Sequence, residues 1–394
     1  MKIAIIHEVS YLSKPVYEYQ DFAERLASLG HEVTVFDFDE HTYGPLTRKN
    51  VSKTGLASVK LVSLPHIPIP FLGILLARRY FAVEFKDHLR KNSFDVVFLY
   101  SVFINGTKTI DLCNAFGIPV IYRLLDAYHR LRKNSLQSLI LRRGEKKIYQ
   151  KSSALLAANI SMQRYVGELV GPNHAPCSVL DHGVDTDHFR RLSPSSEILD
   201  SLGISRAAIV GVFLGTTYSF SRLDQFIGHI KLIREKVPNF VLLIVGAGEL
   251  DGAIQKAIIA NHLEKCVFTC GMIDYEYLPA YLSLASVALC PFKINDVTSE
   301  IIPIKILQYM ASGLPIISTP LPDVMQNFPN KISGVFYSES DNMDQFVKLL
   351  VTLLEESPSS LKKYGELAID HVRFHYGIDQ CIKKLEFFLK EYIK

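Results

Sequence analysis

The chain has 394 residues, of which 48% are hydrophobic and 21% are charged. This composition is typical of a globular protein and excludes a low-complexity chain. Because the length exceeds what one hydrophobic core usually holds, we expect two domains. The charge is uneven: residues 1–190 carry 24 Lys and Arg against 18 Asp and Glu, and residues 191–394 carry 19 against 22.

The cysteines and the start of the chain favour a cytoplasmic location. Six cysteines are scattered along the sequence, and the pair Cys266 and Cys270 has no second Cys/His pair to complete a zinc site. We therefore interpret all six as reduced thiols. The first residues, MKIAIIHEV, enter a strand at once, so no signal peptide is expected. The apolar run Leu64–Ala77 is too short and too interrupted by proline to span a bilayer.

The first half of the chain alternates short apolar runs with amphipathic stretches. The runs are typical of buried strands, and most stretches between them have helical spacing. In chain order the runs are KIAIIH, HEVTVFDF, DVVFLY, PVIYRL, ALLAANI and CSVLDH. The first predicted helix covers Tyr17–Leu29 and ends at Gly30, a residue favoured just after a helix.

The pattern breaks at the polar stretch Asp185–Ser205 and then starts again with AIVGVFL, FVLLIVG, CVFTCG, VALCPF and PIISTP. Alternating strands and helices predict a parallel sheet. We therefore expect an α/β fold with two Rossmann-like, doubly wound domains, at residues 1–185 and 186–365. Ligands are expected in a cleft where the carboxyl ends of both sets of strands face each other. Residues 366–394 are expected to form a helix that packs back across the domains onto the first one.

The segment EIIPIKILQYMASGLP, residues 300–315, is the most informative about function. It follows a buried strand, and Pro303 suits the first turn of a helix, where no N–H is needed. The start of a helix offers unpaired N–H groups and partial positive charge, which favour a phosphate. With Glu300, Lys305 and Gln308 close to that start, the segment predicts a nucleotide-sugar site. An ordinary surface helix is the alternative.

Two other loops are candidates for ligand contact. The loop GAGEL, residues 246–250, ends a strand, and Gly248 allows close approach of a phosphate or a sugar; a tight turn is the alternative. Its third glycine falls one place late for a dinucleotide-binding fingerprint, which disfavours a Rossmann dehydrogenase. Asp126 and His129 follow another strand and are candidates for contact with the reacting sugar or an acceptor hydroxyl. For Asp126 a helix N-cap is the alternative.

Five blocks of the sequence, in order and spacing, resemble the family 4 glycosyltransferases. The blocks are LASLGHEVTVF, LDHGVDTDHF, LLIVGAGEL, CGMIDYEYLPAYLSLASVALCPF and KILQYMASGLPIIST. The resemblance covers nearly the whole chain and implies the GT-B fold. It also implies that a sugar moves from a UDP- or GDP-linked donor to a hydroxyl acceptor with retention of the anomeric configuration.

The resemblance implies roles on the donor side. The E-x7-E motif of the family falls on Glu300 and Gln308, which would contact the donor sugar and the ribose. An amide can still hydrogen-bond a ribose diol, without the strength of a carboxylate. Backbone N–H groups between them would hold the diphosphate, and the backbone of Ile273 would contact the base. The implied donor-site residues are Glu300, Gln308, Lys305, Arg222, Thr216, Gly248, Ile273, Ser299, Ile301 and Ile302.

The chain departs from the family at its cations. In the loop GTTYSFSR, Thr216 and Ser221 stand where the family has the Arg and Lys that neutralise the diphosphate. Arg222 is the nearest substitute, and Lys305 is a second source of charge.

The acceptor side also departs from the family pattern. The first loop lacks the glycines of the family and carries Glu8 and Tyr17 instead, and we assign these residues with His129 to the acceptor. Asp126 stands where many relatives have a histidine, and we predict it to be catalytic together with Glu300.

We predict a glycosyltransferase of cell-surface polysaccharide or glycolipid assembly. The resemblance implies front-side attack, in which the leaving phosphate takes the proton of the acceptor while positive charge stabilises it. We expect no resident cofactor and no nucleic-acid partner. We expect no metal either, because we identify no Asp-x-Asp pair at a strand end. The alternatives are a catalytically silent GT-B binding or scaffold protein and a sugar-nucleotide epimerase of the same fold.

Two basic segments predict a membrane-facing patch. Phe71–Arg90 alternates apolar clusters with four cations, and Arg123–Lys151 holds nine cations against two anions. Such a patch is typical of contact with the inner face of the cytoplasmic membrane, and the acceptor would then be lipid-linked. Core helices whose arginines extend into solvent are the alternative.

Overall fold

The protein divides into two compact units. In the computed structural model, unit 1 comprises residues Met1–His182 with Asp379–Lys394, and unit 2 comprises Gly183–Ile378. The structure describes residues 1–13, 16–39, 47–65, 72–91, 93–132 and 134–393.

Unit 1 is built on an eight-stranded sheet with the strand order β3-β4-β2-β1-β5-β6-β7-β8. Its elements are β1 (Lys2–Ile6), α1 (Glu18–Ser28), β2 (Glu32–Asp39), β3 (Thr47–Val51), β4 (Val59–Pro65), α2 (Leu72–Lys91), β5 (Val96–Leu99), α3 (Gly106–Phe116), β6 (Val120–Leu124), α4 (Ser135–Lys151), β7 (Ala154–Ala157), α5 (Ile160–Val170) and β8 (Cys177–Val179). Every neighbouring pair is parallel except β3 and β4. The central strands are buried along nearly their whole length, as expected where helices cover both faces of a sheet.

Unit 2 is built on a six-stranded parallel sheet with the order β11-β10-β9-β12-β13-β14. Its elements are α6 (Ser196–Leu202), β9 (Ile209–Leu214), α7 (Leu223–Ile227), α8 (Ile230–Lys236), β10 (Phe240–Val245), α9 (Asp251–Ala260), β11 (Val267–Thr269), α10 (Leu278–Leu282), β12 (Val287–Cys290), α11 (Ile304–Ala311), β13 (Ile316–Ser318), α12 (Pro322–Asn327), β14 (Val335–Tyr337), α13 (Met343–Leu354) and α14 (Pro358–Tyr376). Short 3₁₀ turns cover Ser219–Ser221 and Tyr275–Tyr277.

The last helix, α15 (Ile378–Glu391), belongs almost wholly to unit 1. Its apolar face is buried, with Leu385 and Leu389 fully inaccessible. Glu386 lies 2.9 Å from His31 Nε2, and the Cys381 thiol donates to the carbonyl of Asp181 at 3.2 Å. The apolar stripe of this helix is therefore part of the core of unit 1.

The fold class expected from the sequence is confirmed. All eleven predicted strands are present, each as a member of a parallel pair. The sequence reasoning missed β3, β4 and β14. β3 is an antiparallel edge strand of the polar sequence TRKNV, and β14 has only three residues, so neither has the apolar run expected of a buried strand.

The apolar run Leu64–Ala77 is only partly described. Residues 66–71 lie outside the described residues, and α2 begins at Leu72. Among the residues that the structure describes, none of the helices combines the length and the apolarity needed to cross a bilayer.

A buried ion pair joins α1 to the centre of the sheet in unit 1. Arg123, fully buried in β6, donates through Nε and Nη2 to the two carboxylate oxygens of Glu18, each at 2.7 Å, and through Nη1 to the carbonyl of Leu180 at 2.6 Å. Glu18 also accepts the hydroxyl of Tyr100 and lies 2.9 Å from Nδ1 of His182. Burial alone would raise the pKa of Glu18, but Arg123 and His182 outweigh it and lower the pKa to about 2.

We predict that Glu18→Ala destabilises the protein by about 3–5 kcal/mol, because it leaves a buried guanidinium without its counter-charge. The folded pKa of Glu18 lies below its ordinary value of 4.5, so its contribution is present above that pH and is lost as the pH falls towards 2. Urea unfolding measures both effects.

The matched control is Asp111→Ala, which removes an exposed pair with Lys147 and should cost less than about 1 kcal/mol. Equal losses for the two variants would contradict a special role for the buried pair.

Candidate active site

The strand order of each sheet reverses at one point. In unit 1 the reversal lies between β1 and β5, and in unit 2 it lies between β9 and β12. Open α/β sheets bind ligands beyond the carboxyl ends of the strands at such a point, because the two following loops run in opposite directions and leave a crevice. We therefore expect ligand contacts in the loops that follow β1, β5, β9 and β12.

In unit 2 the loops after β9 and β10 interlock through their backbones. A side-chain carbon on Gly246, whose φ is +136°, would lie 2.2 Å from the carbonyl oxygen of Gly215. A side-chain carbon on Gly248 would lie 2.9 Å from the amide nitrogen of Thr217. Asp251 then accepts from the Thr217 hydroxyl at 2.7 Å and from the Gly248 N–H at 2.9 Å. The glycines of GAGEL thus permit close packing between two loops.

The loop after β12 is ordered by its own hydrogen bonds. The side-chain oxygen of Asn295 accepts the N–H groups of Val297 and Thr298. The buried Thr298 hydroxyl donates to the carbonyl of Lys293 at 2.6 Å. The segment that leads to Glu300 is therefore held as a turn before any ligand arrives.

The helix that follows this loop begins later than the sequence reasoning placed it. α11 starts at Ile304, with Pro303 as its N-cap and no side chain capping it. Glu300 lies in the turn four residues before α11 begins, outside the helix that carries Lys305 and Gln308. Gln308 does lie on α11, partly exposed, and its side-chain amide makes no hydrogen bond to the described residues.

Lys305, on the first turn of α11, is the most unusual cation of the described residues. Its ammonium lies 3.7 Å from the ring centre of Phe213 and 4.7 Å from that of Phe292, and only 8% of the residue is exposed. A side-chain carbon on Gly215 would lie 3.3 Å from Nζ, so the ammonium sits beneath the turn that follows β9. Burial lowers its pKa from 10.5 to about 7.

Arg222 has a different environment from the one predicted. Its guanidinium donates to three backbone carbonyls, of Pro291 at 3.0 Å, of Phe292 at 3.3 Å and of Asp341. Burial lowers its pKa. These bonds connect the loops after β12 and β14. The guanidinium donors are therefore already hydrogen-bonded within the protein.

The remaining predicted donor residues lie on three loops of unit 2. Thr216 is exposed after β9, and Ile273 packs partly buried against the core after β11. Ser299 donates its N–H to the carbonyl of Asn295 at 2.9 Å. Ile301 is partly exposed and Ile302 is buried in the core just before α11. The structure thus brings the predicted donor residues to one edge of one sheet.

In unit 1, several carboxylates act electrostatically on the partly buried Tyr128. Burial raises the pKa of this tyrosine, and the charges of Asp126, Glu8 and Glu145 raise it further. Glu8, after β1, accepts the N–H of Ile104 at 2.8 Å. Burial also raises the pKa of Glu8 and of Asp126. Two of the predicted residues are therefore near one another, around a tyrosine that the sequence reasoning missed.

His129 belongs to a hydrogen-bonded cluster in the same unit. Its Nδ1 lies 2.6 Å from Oε2 of the buried Glu145, and the hydroxyl of Tyr165 donates to the same oxygen at 3.1 Å. This arrangement fixes the ring of His129. Tyr17 lies apart from the cluster, half exposed at the N-cap of α1, where its N–H donates to Gln20.

One expectation about metals needs correction. An Asp-x-Asp pair, Asp37 and Asp39, does end strand β2. The carboxylate of Asp37 is buried and accepts both the N–H of Tyr11 and the hydroxyl of Ser63. Within the described ranges, no group of three His, Cys, Asp or Glu side chains is placed to hold a metal ion.

Residues 208–356 match the family described as Glycosyl transferases group 1, and residues 19–188 match Glycosyltransferase Family 4. The chain belongs to this glycosyltransferase family. The two matches cover both units, and they confirm the resemblance found in the sequence.

Two relatives of this glycosyltransferase are named for glucosyldiacylglycerol synthesis and, as a putative role, for teichuronic acid biosynthesis. The chain is 22% identical to the alpha-monoglucosyldiacylglycerol synthase of Acholeplasma laidlawii, over 93% of this chain and 94% of the relative. It is 22% identical to TuaH of Bacillus subtilis, a putative teichuronic acid biosynthesis glycosyltransferase, over 46% of this chain and 44% of the relative.

Solved structures share the fold of this glycosyltransferase along its whole length. Sucrose-phosphate synthase from Thermosynechococcus elongatus has a TM-score of 0.79 at 15% identity, over 99% of this chain and 98% of that one. Anabaena HepE in complex with UDP and glucose has a TM-score of 0.74 at 15% identity, over 99% and 100%. These similarities confirm the GT-B fold class.

We predict that Lys305→Met stabilises the unliganded protein by about 2–4 kcal/mol near neutral pH, because an apolar side chain of similar length replaces a buried charge. The folded pKa of Lys305, about 7, lies below its ordinary value of 10.5. The folded protein therefore binds fewer protons than the unfolded chain between these values, and wild-type stability rises with pH across that window. Urea unfolding at about pH 6 and about pH 9 should show the advantage of the variant shrinking.

Lys305→Arg is the control, because its charge cannot be lost in this range and its stability should not rise with pH. The same stability for wild type and the Met variant at both pH values would contradict an unpaired, buried ammonium.

Proposed function

We propose that this glycosyltransferase moves a sugar from a UDP- or GDP-linked donor to a hydroxyl acceptor, with retention and without a metal ion. The observation that carries the proposal is Lys305, a buried cation with no anionic partner among the described residues, on the uncapped first turn of α11 at the strand-order reversal of unit 2. A diphosphate is the group that such a place suits, because positive charge and helix N–H groups converge there. Solved structures of HepE, which has the same fold, contain UDP, glucose and UDP-glucose.

On the donor side, each residue has one role. Glu300 positions the hydroxyls of the transferred sugar, and Gln308 binds the ribose through its unpaired amide. Lys305 and the N–H groups of Ile301 and Ile302 stabilise the charge that grows on the leaving diphosphate, while Ser299, whose N–H is bonded to Asn295, holds the turn beside them. The backbone of Ile273 contacts the base, and Thr216 and Gly248 line the loops around the phosphates. Arg222 supports this site by holding its loops.

On the acceptor side, the proposal uses unit 1. Asp126 orients the attacking hydroxyl, with Glu8, Tyr17 and His129 as further contacts. The leaving phosphate takes the proton of the acceptor in a front-side attack, so no separate nucleophile is required. The names of the relatives, a glycolipid synthase and a glycosyltransferase of teichuronic acid synthesis, support an acceptor in glycolipid or polysaccharide assembly.

The alternative is a catalytically silent scaffold of the same fold. It is favoured by the engagement of Arg222 with three carbonyls, since that residue was the nearest substitute for the missing cations. Donor binding separates the two, because a transferase must bind a nucleotide sugar and a scaffold need not.

A thermal-shift screen against UDP, GDP, ADP and TDP and their sugar conjugates tests the donor site. We expect one nucleotide family to raise the melting temperature, by about 2–4 °C at a hundredfold excess over Kd. Glu300→Ala should reduce the shift given by the nucleotide sugar but not the shift given by the nucleoside diphosphate. Gln308→Ala should reduce both, since the ribose is common to them.

Glu264→Ala, which removes an exposed carboxylate of unit 2, is the matched control and should change neither shift. No shift with any nucleotide would contradict the transferase and favour the scaffold.

We also propose that unit 1 contacts an anionic membrane surface through α4. Leu136, Leu139 and Ile140 are 45–61% exposed on its first turns. Leu136 and Ile140 share a helical face with Arg143 and Lys147. The one anion between residues 130 and 151, Glu145, is buried against His129, so the exposed charge of α4 is wholly positive.

The second predicted segment supports this surface less directly. In α2, Leu75, Tyr80 and Val83 are exposed, while Arg78 donates to Phe103 and Thr107 rather than extending into solvent. Phe71 lies outside the described residues. A membrane contact would place the protein at the inner face of the cytoplasmic membrane and favour a lipid-linked acceptor.

Flotation with phosphatidylglycerol and with phosphatidylcholine vesicles tests the surface. We expect binding to the anionic vesicles at low salt, and at least about tenfold weaker binding for Leu136→Glu/Ile140→Glu, because the variant loses apolar burial and gains repulsion. Leu56→Glu, at a leucine of similar exposure outside α4, should bind like wild type. Absence of binding at low salt would overturn the membrane contact and leave the donor site untouched.

A further inference from the structure

The side-chain amine of Lys305 lies in surroundings that disfavour its charged form. A lysine in contact with two aromatic rings and with little access to water is costly to keep charged. Cation–π contact with Phe213 and Phe292 returns only part of that cost. The side chain makes no hydrogen bond or ion pair to the described residues, so this part of the chain supplies no counter-charge.

None of the charged groups on the described elements around Lys305 compensates its positive charge. The titratable and charged groups on the surrounding elements are Cys290 on β12, Tyr309 on α11, Tyr218 and Arg222 before α7, Lys293, Asp296 and Glu300 in the loop after β12, and Glu339 and Asp341 after β14. Of these, only Cys290 affects the pKa of Lys305. Burial raises the pKa of that thiol to about 11, so it is neutral around pH 7.

The hydroxyl of Tyr309, on the same helix, is already engaged in a hydrogen bond. The hydroxyl of Tyr309 accepts the N–H of Leu214 at 2.7 Å, which ties α11 to the end of β9. This bond holds the backbone of α11, and with it Lys305, against the turn at Gly215. The position of Nζ is therefore set by rigid neighbours rather than by a salt bridge.

We propose that Lys305 is a proton-coupled diphosphate receptor: it is only partly protonated in the empty site at neutral pH and takes up a proton from solvent when the nucleotide-sugar diphosphate binds. The inference rests on the proposed donor site and adds to it the regulation of that site by pH. In the step, the lone pair of the lysine nitrogen accepts one proton from the buffer, and no other bond forms or breaks.

The physical reason is that the ligand supplies the missing counter-charge. Each phosphate of a nucleotide sugar has one ester and one anhydride bond, and its remaining acidic oxygen carries one negative charge throughout the neutral range. An adjacent anion favours the charged form of an amine, so binding raises the affinity of Lys305 for its proton. By linkage, ligand and proton then strengthen each other's binding equally.

The consequence is a distinctive pH dependence. Because the pKa of the empty site is about 7, wild type below that pH already carries the charge. Above it, each bound ligand must recruit a proton, so Kd rises by up to about tenfold per pH unit. An arginine pair of the usual kind would show no such slope, since guanidinium groups stay charged.

Isothermal titration calorimetry of the full chain with UDP-glucose and with GDP-mannose tests the inference. Titrations at about pH 8 in two buffers of different ionisation enthalpy, HEPES and Tris, give the number of protons taken up per ligand. We expect a value approaching one for wild type. Lys305→Arg and Lys305→Met should take up none, and their Kd should not change between about pH 6 and about pH 9.

The outcomes separate this inference from the donor site itself. Binding by wild type without proton uptake would overturn the inference and leave the donor site standing. Proton uptake that persists in Lys305→Met would assign the proton to another group and also overturn it. No binding of either ligand at any pH would overturn the donor site and the inference together. The Met variant is expected to fold, because it removes a buried charge, and its urea unfolding verifies this.

Discussion

The reversal of strand order in the sheet of unit 2 is the constraint on which the candidate donor site depends. β9 and β12 are neighbours in the sheet but lie far apart in the chain, so their following loops diverge. The start of α11 fills part of the space between them, and Tyr309 fastens it to Leu214. In this frame the inward-facing side chain on the first turn of α11 lies beneath the loop after β9. Lys305 is that side chain.

The protein treats its buried cations in three ways, and the difference separates structure from function. Arg123 has a full counter-charge in Glu18, so the pair holds unit 1 together. Arg222 has carbonyl dipoles, which satisfy its donors and fasten two loops. Lys305 has only aromatic rings. A buried charge without compensation is unfavourable in the empty protein, and a ligand that supplies the opposite charge turns that cost into affinity.

The carboxylates of unit 1 also differ in the groups that surround them. Glu145 is hydrogen-bonded to His129 and Tyr165, so the charged side chains that α4 exposes are all positive. Asp126 and Glu8 both act electrostatically on Tyr128, and burial raises the pKa of each carboxyl group. Their proposed role toward an acceptor follows from this environment.

The linear sequence was sufficient for the α/β class, eleven of the fourteen strands and the family, because apolar periodicity and short sequence blocks are local properties. It placed Pro303 in the first turn of α11, whereas Pro303 is the N-cap and the helix begins at Ile304. The choice between Arg222 and Lys305 required the three-dimensional structure. The carbonyls that occupy Arg222 come from segments 69 and 119 residues further along the chain, and the rings around Lys305 come from β9 and the loop after β12. Burial and counter-charge depend on such distant contacts, and no local pattern records them.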